Sequence, residues 1–316
     1  MKRALLGISL ILFSITLLAC QKKREVPVNA KPAPGSRLSV VTTLYPLYDF
    51  TRTVAGDKAE VTMLLPPGIE PHSFEPKPED MVRVSKADVV VFTNEAMEPW
   101  AVKMLKTVAG KPVVVDASKG VELKPAAPVA DQGHGHEEQG GKDPHIWLDF
   151  GNAQIMVQNI ADGLSSKDPA NRSFYQANAQ AYQQELKKLD EAYRTGLSNC
   201  EKRVFLHGGH YAFAYLARRY NLRYLSAQAV NPDAEPTPTK IATLVKEMRA
   251  NGLKYVFCEE LLSPATAEMI ARETGAKVLL LNGAHNISRQ DFEKKVSFLD
   301  LMRENLANLR QGLQCK

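Results

Sequence analysis

Outside its N-terminal end the 316-residue chain has no apolar run that could enter a bilayer, which excludes a multispan membrane protein. It has no strong charge imbalance either. Its 40 Lys and Arg face 35 Asp and Glu, a formal net charge of +5, and such a balance leaves no footprint for nucleic acid. There is no CxxC and no HExxH, so no short motif establishes a metal site. Cysteine and histidine are scarce, four and seven residues. What remains, 44% hydrophobic and 24% charged, is ordinary for a globular chain and rules out wholesale disorder. The length suits two lobes of roughly 130 residues each.

At the N-terminus Lys2 and Arg3 precede an apolar run, Ala4 to Ala19, that is short for a span. The run ends in Leu17-Leu18-Ala19-Cys20, which resembles a bacterial lipoprotein signal with Cys20 as the lipidated residue. Residues 1–19 are therefore expected to be a signal peptide. Residues 20–36, poor in large apolar side chains and rich in Pro and Lys, are expected to be a flexible, lipid-anchored tether. Removal of 1–19 takes away Lys2 and Arg3 and no acid, leaving a net charge of +3. The Lys22-Lys23-Arg24 cluster then lies where it can touch anionic headgroups. Without Cys20, three cysteines remain, Cys200, Cys258 and Cys315, enough for one disulfide and one free thiol in an oxidising compartment, with the pairing left open.

From Leu38 onward, apolar β-branched runs alternate with helical stretches. Strands are expected at 38–44, 58–65, 88–93 and 112–116, with helices at 46–55, 77–87 and 100–108. The second half repeats the pattern, with strands at 203–207, 222–227, 254–258 and 277–281 and helices near 210–219, 237–251, 265–274 and 289–313. Near-continuous apolar strands alternating with helices predict α/β lobes with parallel sheets flanked by helices. Between the lobes, residues 169–199 hold almost no helix breaker and predict a long rigid connecting helix of roughly 40 Å. The expected organisation is an N-terminal lobe at 37–168, this helix, and a C-terminal lobe at 200–316. Residues 131–142, Gly-rich and without hydrophobic side chains, read as an exposed loop.

Most of the seven histidines, at 72, 134, 136, 145, 207, 210 and 285, follow a strand or edge a loop. In parallel α/β sheets such carboxyl-end positions line the ligand crevice. Any one of them alone reads best as a core, cap or surface histidine. Taken together, His72 and His145 reach the crevice from one lobe and His210 from the other, with His207 and His285 also after strands. Three neutral imidazoles plus a further donor make a common tetrahedral zinc set.

Seven segments in order carry a wider likeness: TTLYPLYDF (42–50), PPGIEPHSFEPKPEDM (66–81), ADVVVF (87–92) with EPW (98–100), DPHIWLDF (143–150), HYAFAYLARRYNL (210–222), AEPTP (234–238) and FLDLMRENL (298–306). With them the chain from Leu38 to Cys315 resembles the cluster 9 solute-binding proteins of bacterial ABC importers, the ZnuA-like zinc and manganese binders. The resemblance implies two lobes joined by a long helix, a metal between them, no enzymatic turnover, and a membrane permease as partner of a monomer on the periplasmic or extracytoplasmic face.

The resemblance also implies that His72, His145 and His210 match the family's first three ligands, a set that leans toward Zn2+ over Mn2+. The family's usual fourth ligand, an aspartate, is replaced here by Asn282 in LLNGAHNIS. The fourth place is therefore left to water, His285, Asn282 or Glu259. His207 is expected to stay outside the ligand set. His134 and His136 resemble a shortened form of the His-rich loop of zinc members. On the fold the resemblance implies, Cys200 and Cys315 lie together at the end away from the ligand and form the disulfide, and Cys258 stays near the crevice. Alternatives are a manganese- or iron-binding homologue, a surface adhesin, and a zinc metallohydrolase with Glu259 as base. Proton competition for the imidazoles predicts that metal uptake weakens as pH falls through about 6 to 7.

Overall fold

The computed structural model describes residues 37–72, 74–126, 141–230 and 235–316. The expected signal peptide, the tether with Cys20, and the loop histidines His134 and His136 lie outside the described residues. Among the described residues no helix is long and apolar enough to cross a membrane.

The N-terminal lobe runs β1 (Leu38–Thr42), α1 (Tyr45–Ala55), β2 (Ala59–Met63), α2 (Pro78–Lys86), β3 (Val89–Phe92), α3 (Pro99–Thr107) and β4 (Val113–Asp116). All its strand pairs are parallel, in the order β2-β1-β3-β4. Two helices follow, α4 (Phe150–Lys167) and α5 (Arg172–Gly196). The C-terminal lobe then runs β5 (Val204–His207), α6 (Ala214–Arg219), β6 (Arg223–Ser226), α7 (Pro238–Ala250), β7 (Tyr255–Cys258), α8 (Ala265–Thr274), β8 (Lys277–Leu280), α9 (Arg289–Glu293) and α10 (Phe298–Gly312). Its sheet, β6-β5-β7-β8, repeats the order of the first and is also parallel. In both sheets the order reverses between two central strands, β1 and β3 or β5 and β7. A crevice opens at the carboxyl ends of such strands.

The expected α/β class, twin parallel sheets and long connecting helix are all present. At 25 residues, α5 extends about 38 Å. Its buried face, Tyr175, Ala179, Tyr182, Leu186, Leu189 and Tyr193, belongs to one apolar core that also takes in Leu47 and Phe50 of α1, Ile160 of α4 and Phe298 and Met302 of α10. Because a single core runs through α5 into both lobes, a wide hinge opening would expose apolar surface at about 25 cal/mol per Å². Polar ties reinforce it. Asp49 in α1 accepts hydrogen bonds from the Tyr182 hydroxyl and from the Phe298 N–H at the start of α10. Arg219 in α6 pairs with Asp149, the N-cap of α4, and with Asp190 of α5.

One helix goes beyond the expected elements, and two local expectations are corrected. The stretch 150–167 is a helix, although its two glycines and its polar residues hid a regular apolar face of Phe150, Ala153, Met156, Val157, Ile160 and Leu164. The helix expected from His210 starts only at Ala214, because the backbone of 208–212 is drawn into bonds with other loops, Tyr211 N–H to Ala229 O among them. The single terminal helix expected at 289–313 is two. Lys295 has a left-handed φ of 57°, and Ser297 and Asp300 form a capping box that starts α10 afresh.

The Cys200–Cys315 disulfide forms as expected, and Cys258 stays free. The bridge joins the approach to β5 with the chain's last turn, at the amino end of a strand whose carboxyl end leads to His210.

Candidate metal centre

Four loops converge at the carboxyl ends of the two sheets. The β2–α2 loop carries His72, in a stretch with prolines at 66, 67, 71 and 76; the segment before α4 carries His145; the β5–α6 loop carries His210; and the β8–α9 loop carries His285. One nitrogen from each histidine lies within 4.8 Å of the others. The ring centroids are 4.8 Å apart for His210 and His285, 4.9 Å for His145 and His285, and at most 6.1 Å for any pair. His145 and His210 are fully buried and His285 is 4% exposed. The Nε2 atoms of His72 and His145 are buried without a hydrogen-bond partner. Bare imidazole lone pairs facing one another are costly unless something electrophilic satisfies them.

Two of the rings, His145 and His210, are held from behind. Nδ1 of His145 lies 2.8 Å from Oδ1 of Asp143, which also accepts the His145 backbone N–H. With Nδ1 as donor, Nε2 is left as the electron-pair end. Asp143 is fully buried, and Pro144 between the two residues stiffens the turn. Sequence reasoning assigned Asp143 no role, although an acid two residues before a histidine across a proline was the available signal. Oε1 of Glu259 accepts the His210 backbone N–H at 2.7 Å, and Oε2 lies 2.7 Å from Nδ1 of the ring, in contact rather than in an aligned hydrogen bond. This leaves Nε2 of His210 facing the cluster, 3.1 Å from Nε2 of His285. A Cβ at Gly209 would overlap Glu259 Oε1, and one at Gly283 would overlap the His285 ring, so both glycines leave room for the site.

Of the candidates for a fourth position, the structure brings only His285 into the group. Glu259 lies behind His210. Asn282 shapes the turn instead: its Oδ1 accepts the Ala284 N–H, and its backbone bonds both ways with Asn305. His207 is buried against Phe213, its Nδ1 accepting the Gly209 N–H, and lies outside the group of four.

Electrostatics divide the cluster. Burial pushes the pKa of His72 down to about 2, helped by His145 and His210. Burial also lowers His145, outweighing Asp143, and lowers His285 well below the usual value, with His210 adding to the effect. Burial opposes charge on His210 too, but the Glu259 carboxylate outweighs it and the pKa is raised. Burial pulls Glu259 the other way, yet its pairing with His210 leaves it lowered. In the metal-free nest the Glu259 carboxylate thus favours a proton on His210, while burial disfavours one on His72, His145 and His285.

Fold and site together define a two-lobed α/β binding protein with a buried all-imidazole nest between its lobes. The chain belongs to the ZnuA family, zinc-uptake complex component A periplasmic, whose model matches residues 40–312. It is 36% identical over 286 residues to the high-affinity zinc uptake system protein ZnuA of Bacillus subtilis, covering 89% of each chain. It is also 36% identical over 311 residues to the zinc-binding lipoprotein AdcA of Streptococcus pneumoniae, covering 96% of this chain but only 60% of that longer protein. Among solved structures, the laminin-binding protein Lmb of Streptococcus agalactiae, described as bifunctional with adhesin and metal-transporting activity, superposes with a TM-score of 0.78. It shares 31% identity, over 88% of this chain and all of Lmb.

Proposed function

We propose that this chain is the extracytoplasmic binding component of an ABC importer for a divalent transition metal, with Zn2+ as cargo and His72, His145, His210 and His285 as its four donors. The observation that carries the reading is the convergence of four imidazole nitrogens within 4.8 Å in a buried pocket. A tetrahedral ion about 2.0–2.1 Å from each nitrogen spaces them about 3.3 Å apart, close to the 3.1 Å between His210 and His285. An all-nitrogen set suits zinc and disfavours Mn2+, which prefers oxygen donors. Capture proceeds without turnover: the nest takes the ion, His210 gives up its proton, and docking on a membrane permease releases the cargo. The chain divides into lobes at 37–168 and 200–316 about a connecting helix at 169–199. It is anchored through Cys20, a reading supported by the lipoprotein-like signal and by the description of AdcA as a lipoprotein.

The test is zinc and manganese titration of the purified full chain beside His72→Ala, His145→Ala, His210→Ala and His285→Ala. Tight one-to-one zinc binding, weakened by each substitution, is expected. Absence of a tight zinc site in the demetallated protein would sink the reading. The likeness to Lmb favours a second role as an adhesin, tested by laminin binding of the zinc-loaded and demetallated chain.

A further inference from the structure

The segment that follows β8 is bonded to its own lobe through Asn305 and Glu260, and it also reaches across to the N-terminal lobe. Gly283 O accepts from the Trp147 indole, His285 O from the Tyr45 N–H at 3.3 Å, and Val296 O from the Tyr45 hydroxyl. Asn286 and Ile287 reach further, to the loop that carries His72. Ile287 O accepts the Gly68 N–H at 2.9 Å. The Asn286 side-chain amide donates to Pro66 O at 2.7 Å and to Ile69 O at 2.8 Å.

The chemistry of that loop makes these bonds matter. Pro66, Pro67 and Pro71 have no N–H, so the backbone has few donors with which to tie itself down. Pro66 O accepts the Ile69 N–H within the loop, and Asn286, fully buried and adjacent to His285, adds both amide hydrogens, one to Pro66 O and one to Ile69 O. Oδ1 of Asn286 accepts the Ile287 N–H, which orients the amide with its NH₂ toward the loop.

We propose that Asn286 is a positioning residue for the metal, its amide clamping the His72 loop to the His285 segment so that two donors from opposite ends of the sequence are presented as one rigid pair. The proposal rests on the reading of the four histidines as the metal cage. It couples His285 mechanically to the N-terminal lobe in addition to its bonds to its own. His72, His145 and His285 then form a preorganised face, and His210 is the donor that the other lobe brings to it. Second-layer hydrogen bonds that fix metal ligands are worth ten- to hundredfold in affinity.

The test uses the full chain with zinc affinity measured by chelator competition, cobalt(II) as a spectroscopic probe of coordination, and a double-mutant cycle between Asn286 and His72. Asn286→Leu, near in size and without a donor, is expected to weaken zinc ten- to hundredfold and to reduce the visible bands of the cobalt form. In a His72→Ala background the same change should cost less than threefold, because the ligand through which Asn286 acts is gone. Asn286→Leu holding zinc within threefold of wild type, or losing as much in the His72→Ala background as alone, would overturn the proposal. Should Asn286→Leu not fold, Asn286→Ser is read in the same cycle. A wild-type chain without a tight zinc site fails at the cage itself, a result distinguishable from a tight wild type indifferent to Asn286.

Discussion

Glu259 grips His210 at two points, accepting its backbone N–H through Oε1 and lying against ring Nδ1 with Oε2, each at 2.7 Å. The ring is thereby turned so that Nε2 meets Nε2 of His285 at 3.1 Å. The carboxylate behind His210 favours a proton on this ring in the metal-free protein. Metal and proton therefore compete first at His210, while the other three rings stay neutral to lower pH.

Glu259→Gln should weaken zinc binding about ten- to hundredfold by loosening His210. It should also lower the His210 pKa, so that fewer protons leave per zinc bound near neutral pH. Calorimetry in buffers of different ionisation enthalpy reads both. Wild-type affinity together with wild-type proton release would exclude this role for Glu259.

Acid should destabilise the metal-free protein through the same rings. His72, His145 and His285 have folded pKa values below the ordinary histidine value of about 6.5. Below pH 6.5 the unfolded chain takes up protons that the folded rings refuse, so stability present above that pH is lost as pH falls toward the folded values. His210 acts in the opposite sense: its raised pKa contributes stability below 6.5 that disappears as pH rises through the folded value. His207, lowered to about 4, joins the three, while Glu98 and Glu260, each raised to about 7, act with His210 and offset the loss. The rings' share is read by difference: between pH 7 and 5 the thermal midpoint of His285→Asn should fall less, or rise more, than that of wild type, and an identical pH dependence would count against it.

Gly283→Ala should displace the His285 ring, which a Cβ at 283 would overlap. Zinc affinity should drop as far as in His285→Ala, within about threefold, while far-ultraviolet circular dichroism stays unchanged. Retention of wild-type affinity would mean that His285 is not needed as a donor.

Loss of the Cys200–Cys315 bridge, which spans 115 residues, should lower stability by about 4–5 kcal/mol in the chain-entropy account. The bridge lies at the amino end of β5 and the histidines beyond its carboxyl end, so Cys315→Ser should leave zinc affinity of the folded protein near wild type. Chemical denaturation and zinc titration of the same sample separate the two effects.

Much of the fold was legible because strand and helix patterns are local. Val89 to Phe92, buried throughout, reads as a covered parallel strand from its β-branched run alone, and the near absence of helix breakers in α5 reads as a strut. α4 escaped notice because Gly151 and Gly163 weaken its helical character, while its stability comes from burying one face against α5 and β4. The break before α10 was written in the Ser297–Asp300 capping box, yet the apolar residues on either side mask it.

The chain's own sequence determined the α/β alternation, the long connecting helix, and the positions after strands where His72, His145 and His210 had to lie, since these follow from periodicity and backbone chemistry within short windows. The fourth position was another matter. Asn282, Glu259 and His285 stand within 27 residues of one another and each carries a donor atom, so spacing could not rank them. Tertiary structure separates them, bringing only His285 of the three within 4.8 Å of the other histidine nitrogens. It turned Asn282 into a turn-forming residue, spent Glu259 on orienting His210, and pinned the His285 segment to the opposite lobe through Tyr45, Trp147 and Asn286. Which donors meet depends on contacts between residues up to 251 positions apart, and no local pattern encodes those.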